Sequence, residues 1–343
     1  MLAGGSIASM SMRSFKASIT DRGEGPDHPV FIHTCRPTAG IWDRSCATSM
    51  RNSLRPLSYT SRCYAYPMTT DDETASRPPL RLGWLSTGRG PGSRGLLEAA
   101  HKAISGGTLN ASINYVLCTR ERGEAEGSDL FLDQAESYGL TTVSVSLRDY
   151  RQHQADDPAW RDRYNADLLS AVQRRPVDAL VFAGLMLIVS EDIVNAVPAL
   201  NLHPALPGGP VGAWQDVIWE LIGQGALETG VMVQLSTAEV DKGPVIAWCR
   251  FPIRGPEFDA LWNAIAGQSI DALQKEHGEN HPLFAKIRQE GLRREAHTLV
   301  EALRQLADGN VKIDGGVLHD ANGQPLENGL DITGKIEAAI RDA

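Results

Sequence analysis

The chain of 343 residues is poor in cysteine, in positive charge and in long apolar runs, and each shortage excludes something. Its five cysteines are Cys35, Cys46, Cys63, Cys118 and Cys249. No two stand in C-x-x-C spacing and none sits beside a histidine at ligand spacing, which argues against a zinc ribbon, a thioredoxin-like motif or a thiolate metal centre; no metal is expected. Cys118 and Cys249 close the apolar strings Tyr-Val-Leu-Cys and Ile-Ala-Trp-Cys. They read as small buried hydrophobes in a reducing compartment, not as nucleophiles. The formal net charge of -9 opposes general nucleic-acid binding, whose affinity rests on Lys and Arg at phosphates, but leaves room for a pocket holding one phosphate. No apolar run approaches the roughly 20 residues of a membrane-spanning helix, so a soluble protein is expected. What is present, 42% hydrophobic and 22% charged residues, suffices for one large domain or two ordinary ones with a sizeable core.

Residues 1–79 lack sustained apolar periodicity and are rich in Ser, Arg, Thr and Pro, so they are set apart as a leader outside the folded part. The first twenty residues hold Arg13 and Lys16 and no acid, as an organelle transit peptide does, but Asp21, Glu24 and Asp27 follow at once. A start at Met68, opening Met-Thr-Thr-Asp-Asp-Glu-Thr, fits better. The second reading implies a cytoplasmic protein, the first an organellar one.

From residue 80 to the end, strand and helix patterns alternate as one domain. Residues 80–86 form an apolar strand, 87–95 a glycine-rich turn, and 96–104 a helix. Strands follow at 113–119, 141–145 and 177–183, with helices at 129–138 and 160–174 between them. A helix at 214–222 precedes strands at 230–235 and 244–253, helices at 257–275 and 291–307, and a hairpin at 311–323. This order predicts an α/β fold, an open, mainly parallel twisted sheet with helices on both faces. Ligands of such sheets bind beyond the carboxyl ends of the strands, where the glycine-rich turn, residues 184–189 and residues 201–209 would gather.

Three features there carry chemistry. Strand, glycine-rich turn and helix aim backbone N–H groups and a positive helix end at an anion. The spacings Gly88-x-Gly90-x-x-Ser93 and Gly90-x-Gly92-x-x-Gly95 only partly match a dinucleotide fingerprint, and the second strand runs into Arg120 where a ribose diol needs an acid. A phosphate-holding turn is the better reading. Asn201 and His203, two residues apart in an extended segment, project to the same side, and Pro204 and Pro207 stop the strand beyond them. An amide can donate to a developing oxyanion, and an imidazole can move a proton near neutral pH. Asp241, in a Val-Asp-Lys-Gly turn, is either simple turn chemistry or the carboxylate that orients His203.

In chain order the glycine-rich turn, Asp178-Ala-Leu-Val-Phe-Ala-Gly-Leu-Met186, Asn201-x-His203-Pro and Asp241-x-Gly243-Pro-Val-Ile246 resemble the formyltransferase family that uses 10-formyltetrahydrofolate, over residues 80 to about 253 and again at 295–309. The segment 228–231 is closer to the branch acting on methionyl-tRNA, and the rest to the branch acting on glycinamide ribonucleotide. The resemblance implies a Rossmann-like domain and direct transfer of a formyl group from 10-formyltetrahydrofolate to an amine, with no covalent enzyme species. It implies Asn201, His203 and Asp241 as catalytic residues. Gly90, Gly92, Ser93 and Arg94 would hold the phosphate of a phosphorylated small-molecule acceptor, with glycinamide ribonucleotide as first choice. Met186, Leu187, Ile188 and Val189 would face the pterin. Water, an amino-sugar nucleotide or a non-catalytic folate- or phosphate-binding role are the alternatives. Against the family pattern, Arg94 stands where Asn is usual and Leu187 where Arg is usual. Trp214-Gln215-Asp216 replaces a His-containing loop, and a helical insertion is expected near 257–290.

Overall fold

The computed structural model describes residues 77–152 and 157–342. All the strands and helices described lie within the unit Thr70–Ala343. The proposed leader, except residues 77–79, lies outside the described residues, as do Cys35, Cys46 and Cys63.

The first half winds strands and helices alternately. β1 (Leu80–Ser86) leads to α1 (Pro91–Ser105), β2 (Ala111–Cys118) to α2 (Glu126–Ser137), and β3 (Thr142–Ser144) to α3 (Leu147–Gln152) and α4 (Trp160–Gln173). β4 (Ala179–Phe182), α5 (Glu191–Ala196) and β5 (Ala199–His203) complete the parallel part. After α6 (Trp214–Gly223), β6 (Glu228–Leu235) returns antiparallel to β5, and β7 (Val245–Pro252) reverses again. α7 (Asp259–Ala264), α8 (Ile270–His277) and the long α9 (Pro282–Ala307) come next. The chain then forms the hairpin β8 (Val311–Asp314) and β9 (Val317–Asp320), β10 (Leu330–Asp331) and α10 (Thr333–Arg341). The main sheet has eight strands in the order β10-β7-β6-β5-β4-β1-β2-β3. The expected open, mainly parallel sheet is therefore present. β1 lies between β2 and β4, so the direction of winding reverses there and a crevice opens at the carboxyl edge.

Period-2 alternation explains the two-faced core. Leu82 and Trp84 of β1 and Val181 of β4 pack on the face covered by α1, α2, α6 and α9. Leu85, Leu180 and Phe182 pack against Tyr164 and Leu168 of α4 and Ile193 of α5 on the other. In β5, Leu200 joins the first face and Ala199 the second, so Asn201 and His203 share the Ala199 side.

Several expected boundaries move. α1 begins at Pro91 inside the glycine-rich stretch, so Gly92, Ser93, Arg94 and Gly95 are helical and the turn is only 87–90. Proline is pre-organised for the first helical position, and this outweighs the poor propensity of two glycines. The expected helix 257–275 is two helices, because Gly267 at φ +74° breaks it and Ser269 caps the second through Ala272 N. α9 starts nine residues before the expected 291. A lattice of ion pairs fastens its polar positions to the C-terminus. Buried Arg294 bonds Glu290 at 2.9 Å and Glu337 of α10 at 2.8 Å, with Phe251 beneath its guanidinium. Burial pushes the Glu290 carboxyl up, but its bonds to Arg294 and Lys286 prevail and hold it below the usual range.

Candidate active site

β5 delivers Asn201 and His203 to the carboxyl edge beside β6, where Asn201 pairs with Gln234 and His203 with Met232. The loop from β6 to β7 brings Asp241 over them. Asp241 is the only non-glycine residue with positive φ among the described residues, at 55°. Such backbone is costly for most L-residues and tolerable for Asp, and it is held where the surrounding contacts enforce it. Those contacts are specific. Oδ1 accepts from Asn201 Nδ2 at 3.1 Å and from Gln234 Nε2 at 3.3 Å, and Oδ2 accepts from Gly212 N at 3.1 Å. His203 Nδ1 stands 3.6 Å from Oδ1, poised beside the carboxylate without a full hydrogen bond. His203 is buried, and its Nε2 is 2.8 Å from Pro210 O; since a carbonyl only accepts, Nε2 carries the proton there. The three residues proposed as catalytic thus converge on one cluster. β6 itself ends at Leu235, and the loop beyond it turns the carboxylate back.

The glycine-rich turn and the Met186 segment also meet. Thr87 Oγ1 accepts from Met186 N at 3.0 Å, and Thr87 N donates to Gly184 O at 3.2 Å. Gly184, at φ +66°, lies so close to Ser93 that a Cβ there would be 2.2 Å from its Oγ. Gly90 is the N-cap of α1, and an added Cβ at Gly90, Gly92 or Gly95 would meet nothing within 4 Å. Arg94 Nη1 reaches Gly127 O of α2 at 3.4 Å. Met186 and Ile188 are 51% and 66% exposed, while Leu187 and Val189 lean on the α4 side of the core. The Ile188 carbonyl accepts from Arg161 Nη2 at 2.9 Å. The Asp241 cluster lies at the end of β5 and the second group at the ends of β4 and β1, three strands that stand side by side in the sheet.

Sequence reasoning missed Gln234, the Pro210 carbonyl, the Gly212 amide and Thr87. Gln234 had a signal: an uncharged polar residue inside the apolar string Val-Met-Val-Gln-Leu needs a partner when buried. Two clefts open elsewhere, one over Trp214, Phe284, Arg288 and Leu292, the other beside Ser144, Tyr150, Arg163 and Asp167. Neither includes the Asp241 cluster, to which the Pro210–Gly212 loop is bonded through His203 and Asp241. Burial pushes the Cys118 thiol up to about 11 and raises that of Cys249, so both are thiols at neutral pH. Among the described residues no helix is long and apolar enough to cross a membrane.

Residues 101–260 match the family described as Formyl transferase. The chain is 26% identical over 210 residues to a phosphoribosylglycinamide formyltransferase of Schizosaccharomyces pombe, covering 59% of this chain and 92% of that one. It is 29% identical over 178 residues to the protein of the same name from Saccharomyces cerevisiae, covering 48% and 78%. Among solved structures, a phosphoribosylglycinamide formyltransferase of Coxiella burnetii shares the fold with TM-score 0.53 and 20% identity, covering 74% and 99%. A formyltetrahydrofolate deformylase of Pseudomonas syringae pv. tomato shares it with TM-score 0.51 and 17% identity, covering 71% and 66%.

Proposed function

We propose that the chain is a formyl transferase, an enzyme moving a formyl group from 10-formyltetrahydrofolate to the amine of a phosphorylated small molecule, glycinamide ribonucleotide in purine synthesis being the first candidate. The observation that carries this reading is the meeting of Asn201, His203 and Asp241 at the end of β5. The amine attacks the formyl carbon, a carbon–nitrogen bond forms, and the formyl oxygen becomes an oxyanion. The Asn201 amide and the imidazole of His203 are the donors placed to receive it. Collapse breaks the bond to N10 of the folate, and the proton lost by the amine ends on that nitrogen, with His203 and Asp241 managing its passage. Because Nε2 donates to Pro210 O in the free protein, an oxyanion receiving that proton must displace or share it with the carbonyl. The loop carrying Pro210 is therefore part of the reaction's geometry.

Exposed Met186 and Ile188 suit the flat face of a pterin, with Leu187 and Val189 anchoring the segment from beneath. The N-terminus of α1 at Gly90, Gly92 and Ser93, with Arg94 beside it, suits a phosphate. A cytoplasmic location belongs to this reading if translation starts at Met68, an organellar one if residues 1–79 are a leader; sequencing the mature N-terminus decides. The activity is tested by incubating the protein with 10-formyltetrahydrofolate and glycinamide ribonucleotide, an amino-sugar nucleotide, or buffer, and following tetrahydrofolate absorbance and formate. Formylated amine without formate is the expected result. Folded protein that releases no tetrahydrofolate, with either amine or with buffer alone, would falsify the enzyme reading.

A further inference from the structure

We propose that Gln234 is a positioning residue for the transfer reaction: its amide fixes the carboxylate of Asp241 relative to Asn201 and His203. The inference rests on the formyl-transfer reading above. Gln234 is 1% exposed and pairs directly with Asn201 across β5 and β6, so the two side chains emerge on the same face of the sheet. Both donate to the same oxygen, Asn201 Nδ2 at 3.1 Å and Gln234 Nε2 at 3.3 Å from Asp241 Oδ1. The orientation of the Gln234 amide follows from chemistry, since turning it over would set its carbonyl against a carboxylate. Its Oε1 is buried and has no protein donor. A buried acceptor left without a protein donor is costly, and an apolar residue of similar volume would serve packing alone better. The amide is there for the contact at its other end.

The strand beside β6 is irregular at this point. The β6–β7 ladder changes register between Val233 and Gln234, so that Val233 faces Ala247 while Gln234 faces Val245. An extra residue, Ile246, stands in β7 at that step. The extra residue lies in β7, whereas β6 keeps an unbroken register with β5, so regular alternation along β6 sets Gln234 on the Asn201 face. The consequence lies in the spacing at Oδ1. This oxygen, which already holds two amide donors, stands 3.6 Å from His203 Nδ1, which carries no proton while Nε2 donates to Pro210 O. Gln234 thereby holds the carboxylate poised between Asn201 and the imidazole, and its effect on the reaction passes through Asp241.

The groups facing Asp241 are Asn201 and His203 from β5, Gly212 from the loop after it and Gln234 from β6; Lys242 and Glu239 of its own loop pair with each other at 3.3 Å. Two substitutions test the role. Gln234→Met keeps the volume and removes the donor. With melting and circular dichroism unchanged, kcat should fall about ten- to a hundredfold, the loss of one hydrogen bond to a charged group, while KM for both substrates stays within about twofold. Gln234→Glu puts a second carboxyl against Asp241, and two carboxyls sharing a site do not both ionise freely. The acid limb of its kcat–pH profile should move to higher pH, which a purely structural role would not produce. A folded Gln234→Met protein with full kcat, or a Gln234→Glu protein with the parental pH profile, overturns the proposal. Parent protein that transfers no formyl group overturns the transfer reading first, and the parental assay separates the two failures.

Discussion

Two regions share the carboxyl edge of the sheet and are built on opposite plans. Around Asp241, polar groups converge from three segments: β5, β6 and the loop at 212 all donate to one carboxylate, and the imidazole lies buried beside it. Around the start of α1, the defining feature is room, since Gly90, Gly92 and Gly95 have no neighbour that a side chain would strike. A centre that stabilises developing charge works best when its dipoles are fixed before the substrate arrives. A site for a phosphate needs unobstructed N–H groups and a helix terminus, and becomes complete only with the anion in place. Substitutions should therefore cost turnover in the first region and acceptor affinity in the second.

The sharpest break of that contrast is His203→Ala. On the role proposed for it, losing this buried imidazole should cut kcat by about a hundredfold or more. The fold should survive, since the imidazole makes one hydrogen bond, to Pro210 O, at the end of a strand. Steady-state kinetics beside a thermal melt checks both halves; retained turnover removes His203 from the chemistry. Asp241→Asn is more selective. Asn tolerates the left-handed backbone at φ 55°, so no strain is added. Its carbonyl can keep the two donors on the Oδ1 side, which leaves its NH2 facing the Gly212 amide. Turnover should fall more than about tenfold and the Pro210–Gly212 loop should loosen, measured as faster amide exchange at Gly212. Full activity with a tight loop would show the carboxylate to be turn chemistry alone.

The same contrast explains what is legible in the residues alone. The central strands announce themselves as apolar runs, and Asn201 and His203 share a side because extended backbone alternates. The partners of Asp241 come from other elements: Gln234 meets it from β6 across the turn that follows that strand, and Gly212 through a backbone amide that no residue type signals. The start of α1 misled for a local reason. Glycines at 92 and 95 read as loop, whereas Pro91 already marked the first helical turn. The short α3 and α5, of six residues each, carry too few turns for a periodicity to emerge, and their place depends on packing against α4 and β4.

A substitution where the Met186 segment meets α1 should affect both stability and the acceptor. Gly184 combines φ +66° with a Cβ position 2.2 Å from Ser93 Oγ. Gly184→Ala is expected to cost about 1–3 kcal/mol, from the left-handed backbone and the displaced serine. Because Ser93 lies in the first turn of α1, KM for the amine should rise several-fold while that for the folate moves less. Equal changes in the two KM values would separate Ser93 from the acceptor.

Gly92→Ala makes the gentlest change and divides fold from ligand most cleanly. Gly92 is helical, lacks positive φ, and has open space where a Cβ would go. For the fold alone, alanine is the better residue there, and the substitution should stabilise the protein by about 0.5–1 kcal/mol. A methyl group in that space would, however, stand where an anion approaches the helix N-terminus. The expected outcome is a higher melting temperature together with a several-fold higher KM for the phosphorylated amine and an unchanged KM for the folate. A stabilised variant with both KM values unchanged would mean that this helix start is open for some reason other than the acceptor, and the phosphate would have to be held elsewhere along the edge.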